Sequence, residues 1–243
     1  MDLMRAIDSY CERLDPSFWA EPLNALSNAA FLIGALIAWR IARADGRAGD
    51  WAVRALVGMG VVIGIGSFLF HTFATAWAAM ADVIPILLFI LLYIHLATVR
   101  YLALPVWAGL GAAALFLPSS AGISWTIQTA LGPLNGSAGY GAVLVVILGY
   151  GTALIWSGRQ GAGRGLLISG ALLFVSITMR TLDNQGGAVC AALPIGTHFM
   201  WHVLNGALLG WLTVVMIRHG RPAHGLRRDG SHVFSDTGGR HKG

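Results

Sequence analysis

Seven long apolar runs divide the chain, each roughly 17–20 residues and so close to the length that a bilayer core demands of a helix. They cover about 24–42, 55–73, 81–99, 102–117, 140–156, 166–182 and 197–217. Between the fourth and fifth lies an uncharged stretch rich in Ser, Gly and Pro, which the pattern makes a loop with an interfacial turn near Trp125. The pattern therefore predicts an all-α membrane protein, a bundle of seven transmembrane helices. An acidic entry segment, 1–23, precedes the helical domain at 24–217, and a basic, Gly-rich, disordered tail follows at 218–243.

Composition supports the membrane assignment. Only 11% of the 243 residues are charged, 56% are hydrophobic and the mean hydropathy is +0.68. A soluble domain carries about 25% charged residues. The net charge of +5 would fit nucleic acid, but the charges sit between apolar runs or in the tail, so no nucleic-acid partner is expected. The first 23 residues hold Asp2, Asp8, Glu12, Asp15 and Glu21, the reverse of a secretory signal's basic start, and insertion falls to the first run. Arginine replaces lysine almost everywhere, and with abundant Ala and Gly this points to a GC-rich bacterial genome and an inner-membrane location.

Connectors 1, 3 and 5 and the tail carry most of the arginines, while connectors 2 and 4 carry no charge. Basic connectors face the cytoplasm. The N-terminus is then outside and the C-terminus cytoplasmic.

Five residues not used in deriving that topology fall at one depth. His71 closes run 2, Asp82 opens run 3, Asp183 closes run 6, and His198 and His202 open run 7. All lie at the outer, periplasmic end. Ionisable groups within a membrane are costly and mark functional sites. His198 and His202 stand one turn apart on the same helix face, where both can reach one ion. Three imidazoles leave an open position, as catalytic zinc sites do. Zinc acidifies water and polarises carbonyls. Asp82 is placed to take a proton, and Ser67, one turn before His71, to support an oxyanion. Blander roles stay open: Ser67 bonding back to its own helix, Asp82 as the N-cap of its run, or a purely structural metal. His95 reads as structural, and His219, His224, His232 and His241 as solvated. Gly60 and Gly64 form a GxxxG, a helix-packing signal. Cys11 and Cys190 both fall on the oxidising face and are expected to form a disulfide.

These residues carry a resemblance. Tyr10-Cys11-Glu12, Glu21 with Asn24 and Ser27-Asn28, Gly66-Ser67 with His71, Asp82 eleven residues later with Pro85, Leu182-Asp183-Asn184 with Cys190, and His198 through Trp201 to His202 occur in order from residue 8 to about 210. The chain resembles the alkaline ceramidases, seven-span zinc hydrolases related to adiponectin-receptor-like proteins. The resemblance implies cleavage of ceramide, or of another N-acyl lipid in a bacterium, to fatty acid and sphingoid base. It implies that His71, His198 and His202 hold zinc, that Ser67 and Asp82 are catalytic, and that Cys11 pairs with Cys190. Animal members also bind calcium in the N-terminal segment. Here Glu12 and Glu21 match that pattern, and Tyr10 replaces a tryptophan that offers only its carbonyl. Asp8 is displaced by one, and Leu14 stands where an asparagine would be. Calcium takes about six to eight oxygens, so Asp8, Tyr10, Glu12 and Glu21, with Asp15 near them, are the calcium candidates. Two other readings compete with the hydrolase. One is a lipid-binding receptor or sensor of the same architecture without turnover. The other is a transporter, against which the absence of a clear internal repeat argues.

Overall fold

The computed structural model describes residues 2–221, so most of the expected tail lies outside the described residues. The helices run in the order α1 (Pro22–Ser27), α2 (Ala29–Ala44), α3 (Trp51–Phe73), α4 (Ala76–Arg100), α5 (Val106–Leu131), α6 (Ala138–Trp156), α7 (Gln160–Leu182), α8 (Ala188–Ala192) and α9 (His198–His219). Seven segments are long and apolar enough to cross a membrane, with α1 and α2 together making the first. The described residues form no strand beyond one isolated bridge, Ala6 to Thr75. The fold is thus the expected seven-helix membrane bundle.

The first span stays continuous through Asn28, whose backbone is helical and whose Nδ2 donates to the carbonyls of Asn24 and Ala25. The last, α9, is the most buried span and packs on α2, α3 and α7. Its approach to α2 depends on small residues. A Cβ at Gly34 would lie 2.3 Å from the Gly206 carbonyl oxygen, and Gly210 stacks on Gly34. Lipid gives packed helices no hydrophobic drive toward each other, so close backbone contact carries the association. Gly60 and Gly64 serve the same purpose toward α2, facing Ala35 and Phe31.

The structure corrects two boundaries. Residues 118–131 continue α5 rather than forming a loop, and Trp125 lies inside that helix. Pro118 suggested a break, but a proline is tolerated in a lipid-facing helix when the surrounding polar groups stay satisfied. Ser119 and Ser120 bond back to the carbonyls of Leu115 and Leu117. The turn expected near Trp125 falls instead at Leu134–Gly136, a single 3₁₀ turn. α4 starts at Ala76, with Thr75 in the N-cap position, so Asp82 sits well inside the helix and is not its N-cap.

The entry segment lies on the bundle rather than apart from it. Ile7 donates to the Ala74 carbonyl, and Ala76 and Trp77 donate to Arg5 and Leu3, so the chain runs along the α3–α4 turn. At the opposite end Asp50 caps α3 by accepting from the Ala52 N–H. The same carboxylate takes both guanidinium arms of Arg100, at 2.5 and 2.8 Å, and one arm of Arg47. Arg47 also donates to the carbonyls of Ile217 and Gly220 at the end of α9. One acid therefore ties α3, α4 and α9 together.

Burial pushes the Asp50 carboxyl up, but Arg100 and Arg47 outweigh it and hold the pKa at about 2. A depressed folded pKa means stabilisation that is complete above the unfolded value and fades as pH falls toward the folded one. Asp50→Asn leaves two buried guanidinium groups short of their anion, and removing one partner of such a pair costs about 3–5 kcal/mol. The expected result is a lower unfolding temperature in detergent at neutral pH. The gap to the native chain should narrow as pH falls from about 4 to about 2.

Candidate metal centre

α3 delivers His71 in its last turn, and α9 opens with His198 and reaches His202 one turn later. All three are buried, and one ligand nitrogen from each lies within 4.8 Å of the others. The ring centroids stand 4.6–5.1 Å apart. Nε2 of His71, Nε2 of His202 and Nδ1 of His198 are buried without a hydrogen-bond partner. Buried polar atoms in native proteins are nearly always satisfied. Three buried imidazoles, each with an unpartnered nitrogen and one ligand atom of each within 4.8 Å of the others, are the donor set and spacing that a divalent cation such as zinc accepts. The residues fit the ion.

The opposite nitrogens are held from outside. His71 Nδ1 bonds Glu21 Oε2 at 2.6 Å, and His202 Nδ1 bonds Ser27 Oγ at 2.8 Å. Partners of this kind fix the tautomer and the ring orientation of a ligating histidine. Glu21 is itself braced by Arg13, whose Nε donates at 2.5 Å and whose second arm reaches the His71 carbonyl. Burial raises the Glu21 carboxyl, but His71 and Arg13 more than offset that and hold it below its usual range. The third ring, His198, is stacked under Tyr10 with centroids 3.7 Å apart. Burial pushes the Tyr10 phenol above its usual range, so it packs as a neutral ring.

Asp183 ties these supports together. Its Oδ1 accepts from the Cys11 N–H, and its Oδ2 accepts from the N–H groups of Thr197 and His198. It thus joins the entry segment to the first turn of α9, where a carboxylate also meets the positive end of the helix dipole. Gly196 makes the turn at φ +65, and a Cβ there would run into the Asp183 carboxylate. The disulfide between Cys11 and Cys190 closes the same corner, with Cα atoms 5.2 Å apart. Cys11, Asp183 and Cys190 also cluster at ligand spacing, but the paired sulfurs are no longer thiolates and cannot ligate.

Asp82, on α4, lines the cavity beside the triad together with His198, and buried Ser67 lies on the adjoining α3. Thr72 bonds back to Phe68 and Leu69, whereas the Ser67 hydroxyl makes no such bond to its own helix. One Asp82 oxygen is buried and unpartnered. α3 and α4 touch at Gly66, where a Cβ would stand 2.1 Å from the Ala81 carbonyl oxygen. That contact brings Ser67 and Asp82 to the same level.

The calcium candidates are not brought together. Asp8 accepts from the Gln185 side chain. Glu12 caps α1 through the N–H groups of Leu23 and Asn24. Tyr10 is turned to His198, and Glu21 is taken by Arg13 and His71. Asp15 folds back on Ser17. In this arrangement Glu21 alone of these acids reaches the triad, with Arg13 beside it, and the others are engaged elsewhere.

Sequence reasoning missed Arg13, Ser27 as a partner of His202, and Arg180. The signal available for Arg13 and Glu21 was an arginine and an acid in one short segment ahead of the first span. Nothing in spacing links Ser27 to His202, 175 residues away.

A cavity of about 340 Å³ opens beside the triad, lined among others by Tyr10, Asp82, Tyr140, Arg180, His198 and Trp201. A second, apolar cavity of about 80 Å³ lies against it, lined by residues such as Phe31, Ile63, Phe89, Leu173 and Leu208. Tyr140 and Trp201, packed edge to face at 4.6 Å, belong to both walls.

No protein-family model, no curated protein and no solved structure matches the chain.

Asp183→Ala removes one acceptor from three N–H donors, and each bond to a charged group contributes about 1.5–3 kcal/mol. The expected outcome is a lower unfolding temperature and faster proteolysis of residues 1–20, with the disulfide still formed on non-reducing gels.

Proposed function

We propose that this chain is a zinc-dependent intramembrane hydrolase of N-acyl lipid amides, in line with its resemblance to the alkaline ceramidases. The observation that carries the reading is the set of three orphaned, buried imidazole nitrogens meeting beside a cavity that also holds Asp82. His71, His198 and His202 would hold the ion, which when bound polarises a carbonyl and makes a nearby water more acidic.

The chain's own groups account for the rest. The apolar cavity takes the beginning of the acyl chain, and the polar cavity takes the amine portion, so the amide lies at their shared wall. Asp82 accepts the proton of the attacking water as its oxygen adds to the carbonyl carbon. The Ser67 hydroxyl donates to the developing oxyanion. Asp82 then returns the proton to the amine nitrogen as the C–N bond breaks, giving a fatty acid and a free amine. Glu21, Ser27 and Tyr10 hold the imidazoles in register throughout.

Sidedness follows the same reading. Arg43, Arg47, Arg54, Arg100, Arg159, Arg164 and Arg218 lie at the end of the bundle opposite the triad. The positive-inside rule assigns that end to the cytoplasm, so the reaction faces the periplasm of a bacterial inner membrane, where the disulfide also belongs.

His198→Ala is expected to abolish zinc retention and fatty-acid release together. Asp82→Asn should keep about one zinc per chain while lowering turnover by at least about 10²-fold, the usual scale of general acid–base catalysis. Elemental analysis of purified protein, paired with fatty-acid release from a panel of N-acyl lipids, checks both. Full turnover by the zinc-free variant rules the mechanism out. Lipid binding without repeated product release favours a receptor.

A further inference from the structure

Four arginines of the described chain are drawn into its interior or its cavities, and three have an acid. Arg13 is paired with Glu21, and Arg47 and Arg100 are paired with Asp50. Arg180, in the last turn of α7, differs. Among the described residues no carboxylate comes within 4.0 Å of it. One guanidinium nitrogen, Nη1, donates to the Asn135 carbonyl at 2.7 Å and to Ser137 Oγ at 2.8 Å. The head lies over two aromatic faces, 5.5 Å from the Tyr140 centroid and 5.7 Å from that of Trp201. Those contacts orient the group but bring no acid into direct contact with it: among the described residues Nη2 and Nε have no acceptor, and Asp82 faces the guanidinium only across the cavity. It lines the polar cavity shared with Asp82 and His198. Asn135, which holds Nη1, is fixed in turn by donating to the Asp183 carbonyl.

A guanidinium placed on a cavity wall at the edge of a bilayer, held by neutral acceptors and with its nearest acid across the cavity rather than against it, is a costly arrangement that an anion arriving with the ligand would relieve. The remaining donors form the planar fork that matches a carboxylate at two points. The aromatic pair beneath it separates the polar cavity from the apolar one. An amphiphile with its acyl chain in the apolar cavity and its amide at the triad would therefore extend its amine portion toward Arg180.

We propose that Arg180 is the seat of a substrate carboxylate, and that the preferred ligands are N-acyl amino acids rather than N-acyl lipids with neutral headgroups. The identity of the ligand as a substrate rests on the hydrolase reading; the anion seat does not. Asp82 opposes a second negative charge on its own side of the cavity and so favours the orientation in which the ligand's carboxylate lies against Arg180.

The test compares N-oleoylglycine, N-oleoylethanolamine and oleate on purified full-length protein in neutral detergent. Binding is read by tryptophan fluorescence on both zinc-stripped and zinc-loaded protein, and fatty-acid release is read separately. N-oleoylglycine should bind about tenfold or more tightly than N-oleoylethanolamine, the scale of a charge-assisted hydrogen bond, and the preference should persist without zinc. Arg180→Gln should collapse that ratio toward one, while Arg180→Lys should retain part of it. Unfolding temperatures establish that each variant is folded. Where Arg180→Gln fails to fold, the ligand ratio in the native chain and in Arg180→Lys decides. Equal affinities for the two amides overturn the proposal, as does a preference that survives in Arg180→Gln. An Arg180-dependent affinity for oleate without preference for N-oleoylglycine also overturns it, because the seat would then serve the product. Headgroup preference without hydrolysis supports the seat and sinks the hydrolase. Hydrolysis of both amides with no preference does the reverse.

Discussion

A carboxylate and an imidazole buried side by side in an apolar bundle must satisfy each other before anything around them can pack. Glu21 and His71 do so at 2.6 Å, each nearly inaccessible, and Arg13 completes the set by neutralising the acid from its other side. Removing any member would strand a polar group in a low-dielectric interior, where an unpaired charge is most expensive. The consequence is directional. With Nδ1 of His71 committed outward, Nε2 points to the shared centre, and Ser27 imposes the same choice on His202. The short segment before the first span is therefore part of the site's architecture, although none of it crosses the membrane.

That dependence explains what could be read from sequence and what could not. Seven apolar runs with arginine-rich connectors gave the bundle, because span length and hydropathy are local properties. The triad was legible because histidines are conspicuous in apolar runs, and because the i, i+4 pair His198 and His202 needs only helical periodicity. Gly66, Ser67 and Asp82 were readable as a motif, but the contact that levels them is the meeting of the Gly66 face with the Ala81 carbonyl, which no spacing encodes. The separate tasks of the acids in the entry segment were illegible for a related reason. Glu12, Glu21 and Asp8 look alike as oxygen donors, and only the tertiary path shows one capping a helix, one bracing a histidine and one on the surface. Pro118 misled by a rule from water: helix prolines are tolerated in membrane spans, and here α5 continues through it.

The two ends of the bundle use charge differently. At the arginine-rich end Asp50 is in direct contact with both Arg47 and Arg100, although Arg47 Nε is left without an acceptor. At the triad end the charges are incompletely matched: Asp82 has an unpartnered oxygen, Arg180 has no acid within 4.0 Å among the described residues, and both border the same space. Charges in direct contact stabilise the fold, whereas charges that face each other across a cavity are available to a ligand. The contrast within one chain is a stronger argument for a functional end than the burial of any single residue.

Precision at that open end cannot come from the spans alone. Helices in lipid associate through close backbone contact, which sets their separation more tightly than their axial position. Axial position is what brings His71 on α3, Asp82 on α4 and His198 on α9 to one depth. Outside the membrane, where hydrogen bonds are directional, Asp183 accepts from Cys11, Thr197 and His198 together, and the Cys11–Cys190 bridge prevents the entry segment from lifting away. Tyr10, one residue before that bridge, is thereby pressed on the His198 ring. The strap sets the height of α9 against α3 and α4, so a covalent bond beyond the spans governs the spacing of three nitrogens inside them.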